Sequence, residues 1–431
     1  MIYDVAIIGA GVTGTALLHV LTRYTDVGAV ALLERYAAPA QVNSKSTANS
    51  QTLHFGDIET NYSAEKARTV SLAAGRVKRY LERAPTAGVS RPTSKMVLGV
   101  GAAEVALLRR RLTELGSVFP GLCLLERDEL SAAEPAVTAG RGSDVPLAAL
   151  RAEGGCAVDF GALSESFLAD ARASGRRVDV SFGARVGSIE RRGGLYRLGP
   201  AGVEARTIVC AAGAVSLLFA HSLGYGLDFA VLPVAGDFYV GPRVLNGKVY
   251  TVQDDRLPFA AVHGDPDLAD DGVTRFGPTA RVLPLLERGD WGSFWGFLRS
   301  TRGDPRLAFF AARLLADDAV RGFAFQNALY TLPVIGRQAF AAAARKIVPE
   351  LSAGDLRPAP WAGGVRPQLL DRRDGSLPLG EARFEGDRIL FDVTPSPGAS
   401  TCLKGAEDDA RRLAGWLGKK FDDAAFARDY G

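Results

Sequence analysis

Residues 1–35 read MIYDVAIIGAGVTGTALLHVLTRYTDVGAVALLER. The run Val5-Ala6-Ile7-Ile8 is continuously apolar, the mark of a strand buried on both faces of a parallel sheet. Gly9-Ala10-Gly11-Val12-Thr13-Gly14 follows, then an apolar helical stretch through Leu21 and a second strand, Val30-Ala31-Leu32-Leu33, ending at Glu34. Gly9 permits the tight strand-to-helix turn, Gly11 lets backbone approach a pyrophosphate, and Gly14 lets the helix lie close to the strand. The helix start offers unpaired N–H groups to phosphate. Glu34, with Arg35 beside it, stands where a carboxylate accepts the ribose hydroxyls of an adenosine. A glycine motif alone is a weak signal. Strand, glycines, helix, strand and acid in this order predict a dinucleotide-binding domain.

Two later segments favour FAD over NAD. Ala205-Arg206-Thr207-Ile208-Val209-Cys210-Ala211-Ala212-Gly213 reads as a buried strand ending in Ala-Gly. It resembles the strand that closes over FAD in glutathione-reductase-like and D-amino-acid-oxidase-like folds, with Gly213 allowing close backbone approach. Ala184-Arg185-Val186-Gly187-Ser188-Ile189 resembles the strand of those folds whose valine, here Val186, touches the adenine.

At 431 residues the chain is long for a single core and suggests two domains. A hydrophobic share of 47% with 23% charged residues fits a globular protein, and a net charge of +3 is too small to argue for nucleic acid. No run approaches the roughly 18 apolar residues that span a bilayer, and the opening strand occupies the place of a signal peptide. Cys123, Cys156, Cys210 and Cys402 are scattered and read as reduced thiols of a cytosolic protein, with no metal cluster.

The expected fold class is α/β: a Rossmann-like, glutathione-reductase-like FAD domain with an interleaved α+β substrate domain on an antiparallel sheet. Residues 1–95, 146–229 and 325–431 are assigned to the FAD domain, and 96–145 with 230–324 to the substrate domain. A helix is expected over Ala64–Arg83, and strands over Met96–Val100, Phe238–Val240, Val249–Val252 and Phe259–Val262. Further helices are expected over Leu283–Glu287, Trp291–Arg299 and Pro305–Leu315.

Three segments carry chemistry. The polar stretch Asn43–Tyr62 follows the second strand, where the loop of D-amino-acid-oxidase-like proteins runs from pyrophosphate to isoalloxazine. By that likeness Ser44, Ser46, Asn49, Ser50 and Gln51 bind the cofactor and His54 lies beside the flavin, a structural histidine being the alternative. The second segment joins His263, at the end of the strand begun at Phe259, to Arg275-Phe276-Gly277-Pro278. Oxidising a 2-hydroxy acid needs a base for the hydroxyl proton and cationic forks for carboxylate. His263 suits the first task, and Arg275 with Arg366 the second, surface salt bridges being the bland reading of each arginine. The third is Phe391–Ser400, where a Pro-Gly turn opens a helix and aims Gly398 and Ala399 N–H groups at the pyrimidine end of a flavin.

Together these segments resemble malate:quinone oxidoreductases, within the D-amino-acid-oxidase-like flavoproteins. The likeness covers nearly the whole chain and rests on SQTLHFGDIETNYS (50–63), FAAVHGDPDL (259–268), TRFGPTARVLPLLER (274–288), GVRPQLLD (364–371) and TPSPGASTCL (394–403). It implies oxidation of (S)-malate to oxaloacetate with FAD and electron delivery to membrane quinone. By position it implies His263 as base, Arg275 and Arg366 as carboxylate ligands and His54 near the flavin.

Quinone implies a membrane, hence a cytoplasmic protein at the inner face of the cell membrane. Trp291-Gly292-Ser293-Phe294-Trp295-Gly296-Phe297-Leu298-Arg299 is the candidate contact, although aromatic stripes at helical spacing are more often core. Alternatives are a flavin oxidase of another 2-hydroxy acid, with dioxygen replacing quinone, an amino-acid oxidase, and a non-catalytic flavin-binding scaffold.

Overall fold

The opening strand, Ile2–Ile8, lies parallel to Ala29–Leu33 on one side and Val203–Cys210 on the other, with Ile8 opposite both Leu33 and Cys210. All three strands therefore end together at the glycine turn. Arg177–Ser181 and Ile389–Val393 extend the parallel part, and Ala382–Gly386 closes an edge antiparallel. The structure, a computed structural model, describes residues 1–83, 88–253, 262–359, 362–378, 382–393 and 397–431. Among these residues the sheet has eight strands.

Helix Val12–Tyr24 buries all but two of its side chains between this sheet and helices Phe160–Arg172 and Cys402–Leu417. Its close seat depends on two glycines. Gly9 has φ +107°, and a Cβ there would lie 2.5 Å from the Ala211 carbonyl oxygen; a Cβ on Gly14 would lie 2.0 Å from the Gly9 carbonyl oxygen. Helix Ala64–Arg83 has the bounds expected for it, and it buries Ala67, Val70, Ala74, Val77 and Leu81, one face at three- and four-residue spacing.

A second eight-stranded sheet is antiparallel, except where Lys95–Val100 meets Lys248–Thr251 in parallel. At its centre His263–Pro266 and Val273–Gly277 pair through His263–Gly277 and Asp265–Arg275. Strand Leu147–Ala152, expected with the FAD domain, hydrogen-bonds into this sheet between Lys95–Val100 and Leu122–Glu126. Phe229–Ala235 and Val365–Asp371 form a small antiparallel sheet with Arg281–Val282, which puts Arg366 opposite Val234.

Three local expectations change. Leu283–Glu287 is not helical: Pro284 interrupts it, and the Leu283 N–H donates to the Pro233 carbonyl. Ala184–Gly187 is extended chain outside the regular ladder, which begins at Ser188. His263 opens a strand instead of ending one, and the expected strand residues Phe259–Ala261 lie outside the described residues. Helix Ser293–Thr301 forms close to its expected place; its Phe297 packs on the core, but Trp291 is 77% and Trp295 66% exposed, so the two tryptophans are not core. No helix among the described residues is long and apolar enough to cross a membrane.

Candidate active site

One cavity of about 760 Å³ runs along the ends of the parallel strands and continues to the second sheet. Gly9, Gly11, Glu34, Arg35, Ser44 and Val186 line it at the dinucleotide end. The Val12 N–H, first of its helix, donates to Ser44 Oγ at 3.0 Å. Glu34 accepts from the Ala10 N–H at 2.8 Å and the Tyr36 N–H at 3.0 Å, which holds its carboxylate against the glycine turn. Arg35 pairs with Glu287, from the segment leading to helix Ser293–Thr301. Asn49, Ser50, Gly213, Gly398 and Ala399 also line the cavity, whereas Thr394–Ser396 of the third segment lie outside the described residues. A backbone cradle with room for phosphate, a helix start and an acid beyond the second strand fit FAD.

Gly14 does not line the cavity and has the packing place expected of it, beneath the turn, where it lets helix and strand meet. Two expected cofactor residues are placed otherwise. Ser46 and Gln51 do not line the cavity: the Gln51 side chain donates to the Ser46 carbonyl at 3.3 Å and accepts from the Leu268 N–H at 3.1 Å. Gln51 is buried at φ +52° and holds the loop's shape.

At the other end, His54, His263 and Arg366 share the cavity wall with Glu59, Tyr62 and Tyr250. His263 Nδ1 stands 2.8 Å from Asp265 Oδ2, and Asp265 Oδ1 is 3.5 Å from Lys248 Nζ, all three side chains being buried. Burial opposes ionisation of Asp265, but the charges of His263 and Lys248 outweigh it and hold its pKa down to about 2. Burial lowers the pKa of Lys248, whose ammonium also donates to the Ser50 carbonyl at 2.7 Å. Tyr250 packs on the His263 ring, 4.6 Å between centroids, and its hydroxyl meets Thr52 Oγ1 at 2.8 Å.

His54 Nδ1 hydrogen-bonds Glu59 Oε1 at 2.7 Å. Burial again opposes ionisation, yet His54 and Lys95 hold the Glu59 pKa at about 2. Arg366 is brought to the wall by stitching between chain segments far apart in sequence. Asn43 Nδ2 donates to the Val365 carbonyl at 2.9 Å, and the Gly363 N–H donates to the Thr47 carbonyl at 2.7 Å. A Cβ at Gly363 would lie 1.9 Å from the Gly236 carbonyl oxygen, so the glycine pair allows this approach.

Arg275 requires a correction. Its guanidinium donates to the Asn49 carbonyl at 2.7 Å, the Ser46 carbonyl at 3.4 Å and Asp267 Oδ2 at 3.2 Å, and it lies 4.4 Å from the Phe238 ring centroid. It is buried and does not line the cavity. The chain itself claims both terminal nitrogens of this guanidinium, which pins the loop to the second sheet and keeps the cation out of the cavity wall. Sequence reasoning also passed over Asp265, although it lies two residues after His263, and Lys66, which lines the cavity from helix Ala64–Arg83.

Residues 4–401 match the family of FAD-dependent oxidoreductases typified by D-amino-acid oxidase. A probable malate:quinone oxidoreductase of Campylobacter jejuni is 39% identical, over 99% of this chain and 98% of that protein. A malate:quinone oxidoreductase of Helicobacter pylori is 38% identical, over 100% and 98%. The chain belongs to the malate:quinone oxidoreductase family. Its cofactor is FAD. The fold is shared with the FAD-bound L-α-glycerophosphate oxidase of Mycoplasma pneumoniae, with a TM-score of 0.68 and 20% identity over 96% of this chain and 95% of that one. Glycine oxidase of Geobacillus kaustophilus has a TM-score of 0.64 at 18% identity, covering 98% and 97%. Within a fold that also serves amino-acid oxidation, the malate:quinone oxidoreductase relatives narrow the chemistry to hydroxy-acid oxidation.

Proposed function

We propose that this protein oxidises (S)-malate to oxaloacetate, FAD taking the electron pair and quinone removing it. One observation carries the proposal: a single cavity joins the dinucleotide cradle to His263 and Arg366. Oxidation of the alcohol removes a hydride from the hydroxyl-bearing carbon and a proton from its oxygen. FAD, when bound, accepts the hydride and relays both electrons to the acceptor. His263 takes the hydroxyl proton at Nε2, because Nδ1 lies 2.8 Å from the Asp265 carboxylate, whose charge orients the ring. Asp265 is a positioning residue, kept ionised so that it favours the imidazolium as the proton arrives. Arg366 holds the carboxylate next to the reacting carbon, and the His54–Glu59 pair forms the adjoining wall.

Electron delivery to quinone places the protein at a membrane surface. Support comes from Trp291, Trp295, Phe309 and Phe325, each more than 60% exposed, on and beside helices that also carry Arg299, Arg302, Arg313 and Arg321. Apolar rings among arginines suit an anionic lipid interface, and Trp295 also borders the cavity. Trp295→Glu should weaken flotation with anionic vesicles, and unchanged flotation would argue against this face.

Anaerobic mixing of the purified holoenzyme with (S)-malate should bleach the flavin band near ~450 nm. Re-oxidation by a soluble quinone without hydrogen peroxide is the expected second half. No bleaching would defeat the malate assignment, and rapid peroxide formation in air would point to dioxygen as acceptor.

A further inference from the structure

The cavity wall holds a cation that the mechanism above leaves unused. Lys66 lies in the first turn of helix Ala64–Arg83, where a positive charge opposes the helix dipole. Its ammonium sits 4.2 Å from the Tyr62 ring centroid, half-buried, and burial lowers its pKa. Among the described residues no carboxylate pairs with it. The nearby acids have cations of their own: Asp57 has Lys95 at 2.6 Å, Glu59 has His54, and Asp265 has Lys248 and His263. The Arg366 charge also reaches the Tyr62 hydroxyl, so two cations act on one residue of the wall. Asn61, next in the wall, has a buried side-chain oxygen without a hydrogen-bond partner among the described residues. A half-desolvated ammonium with no carboxylate partner among the described residues marks a place for an anionic group, whereas the Asn61 oxygen in the same wall is an acceptor and calls for a donor.

We propose that Lys66 binds the carboxylate remote from the carbon being oxidised and so makes the site select dicarboxylic over monocarboxylic 2-hydroxy acids. This rests on the malate reading, in which Arg366 takes the carboxylate beside the reacting carbon. Lys66 touches neither the hydroxyl nor the hydride, so its removal acts on binding and selectivity while the proton path through His263 stays intact.

The test compares holoenzyme variants Lys66→Gln and Lys66→Arg on (S)-malate and on (S)-2-hydroxybutyrate, which carries a methyl where malate has its second carboxylate. Lys66→Gln should raise the malate KM by about 10- to 100-fold, as expected for one charge-assisted hydrogen bond. It should leave malate kcat within about threefold and kcat/KM for 2-hydroxybutyrate unchanged or higher, whereas Lys66→Arg should restore most of the malate affinity. Malonate, a dicarboxylate without an oxidisable hydroxyl, read through the flavin spectrum, should lose affinity by a similar factor. Equal losses on both substrates, or an unchanged malate KM in Lys66→Gln when the wild type oxidises malate, would overturn the proposal alone. A wild type that does not oxidise malate would defeat the malate reading and this proposal with it.

Discussion

The two ends of the cavity are built from different materials. At the dinucleotide end the chain offers backbone: a glycine turn, a helix start that borders the cavity, and strand ends in register. At the other end it offers side chains: His263, Arg366 and Lys66 line the wall from two strands and one helix, with Asp265 and Lys248 buried behind His263. A backbone cradle binds what every member of a large family shares. A side-chain wall can be exchanged residue by residue, and this is where hydroxy-acid and amino-acid chemistry part on one fold.

The contrast can be broken by substitution. Gly14→Val should have the largest effect, because even a Cβ there lies 2.0 Å from backbone. Destabilisation of about 3 kcal/mol and loss of bound flavin are expected, read by thermal unfolding and by flavin content. A stable, yellow Gly14→Val protein would show that the cradle is not so tightly set.

Arg275 and Arg366 offer the sharper comparison, since both were expected to bind substrate. Arg275→Met removes the partner of buried Asp267 and two carbonyls. It should cost about 3 kcal/mol of stability and weaken flavin retention, while leaving the preference among hydroxy acids alone. Arg366→Met should keep flavin and fold but raise the malate KM by about 100-fold. Exchanged phenotypes would return Arg275 to the substrate.

Asp265→Asn should lower kcat by about 10- to 100-fold with flavin content unchanged. Without the carboxylate the ring loses the charge that orients it, so kcat should fall while the malate KM changes little. An unchanged kcat would reduce Asp265 to packing.

The smallest effect concerns acid stability. Glu59 and Asp265 are both held at about 2 in the folded chain, below their ordinary values. The stability they contribute is present above the ordinary carboxylate range and is lost as pH falls from there through about 2. Tm measured from pH 7 downward should therefore fall steeply only in acid, and less steeply in Glu59→Gln.

The dinucleotide end was legible because its evidence is contiguous: Val5 to Glu34 encodes turn, helix and acid at fixed spacing. Helix Ala64–Arg83 was legible for the same local reason. The substrate end was legible only through motifs that place His263 and Arg366, since nothing in their spacing says that they meet. Arg275 was misread because a sequence does not show that the carbonyls of Ser46 and Asn49 already claim a guanidinium. The place of Lys66 in the cavity wall was not legible because a lysine on an amphipathic helix looks like any solvated charge. Leu283–Glu287 was read as a helix although Pro284 stands within it, and Trp291 and Trp295 are exposed where aromatics at helical spacing are more often core.

The most direct test of the account is the anaerobic reaction of (S)-malate with wild type and His263→Gln, each fully loaded with FAD, followed at ~450 nm. The account predicts fast bleaching in the wild type and a rate lower by about 10²- to 10⁴-fold in the variant at equal flavin content. Equal rates in the two proteins would contradict it, because the hydroxyl proton would then leave by a route that does not involve His263.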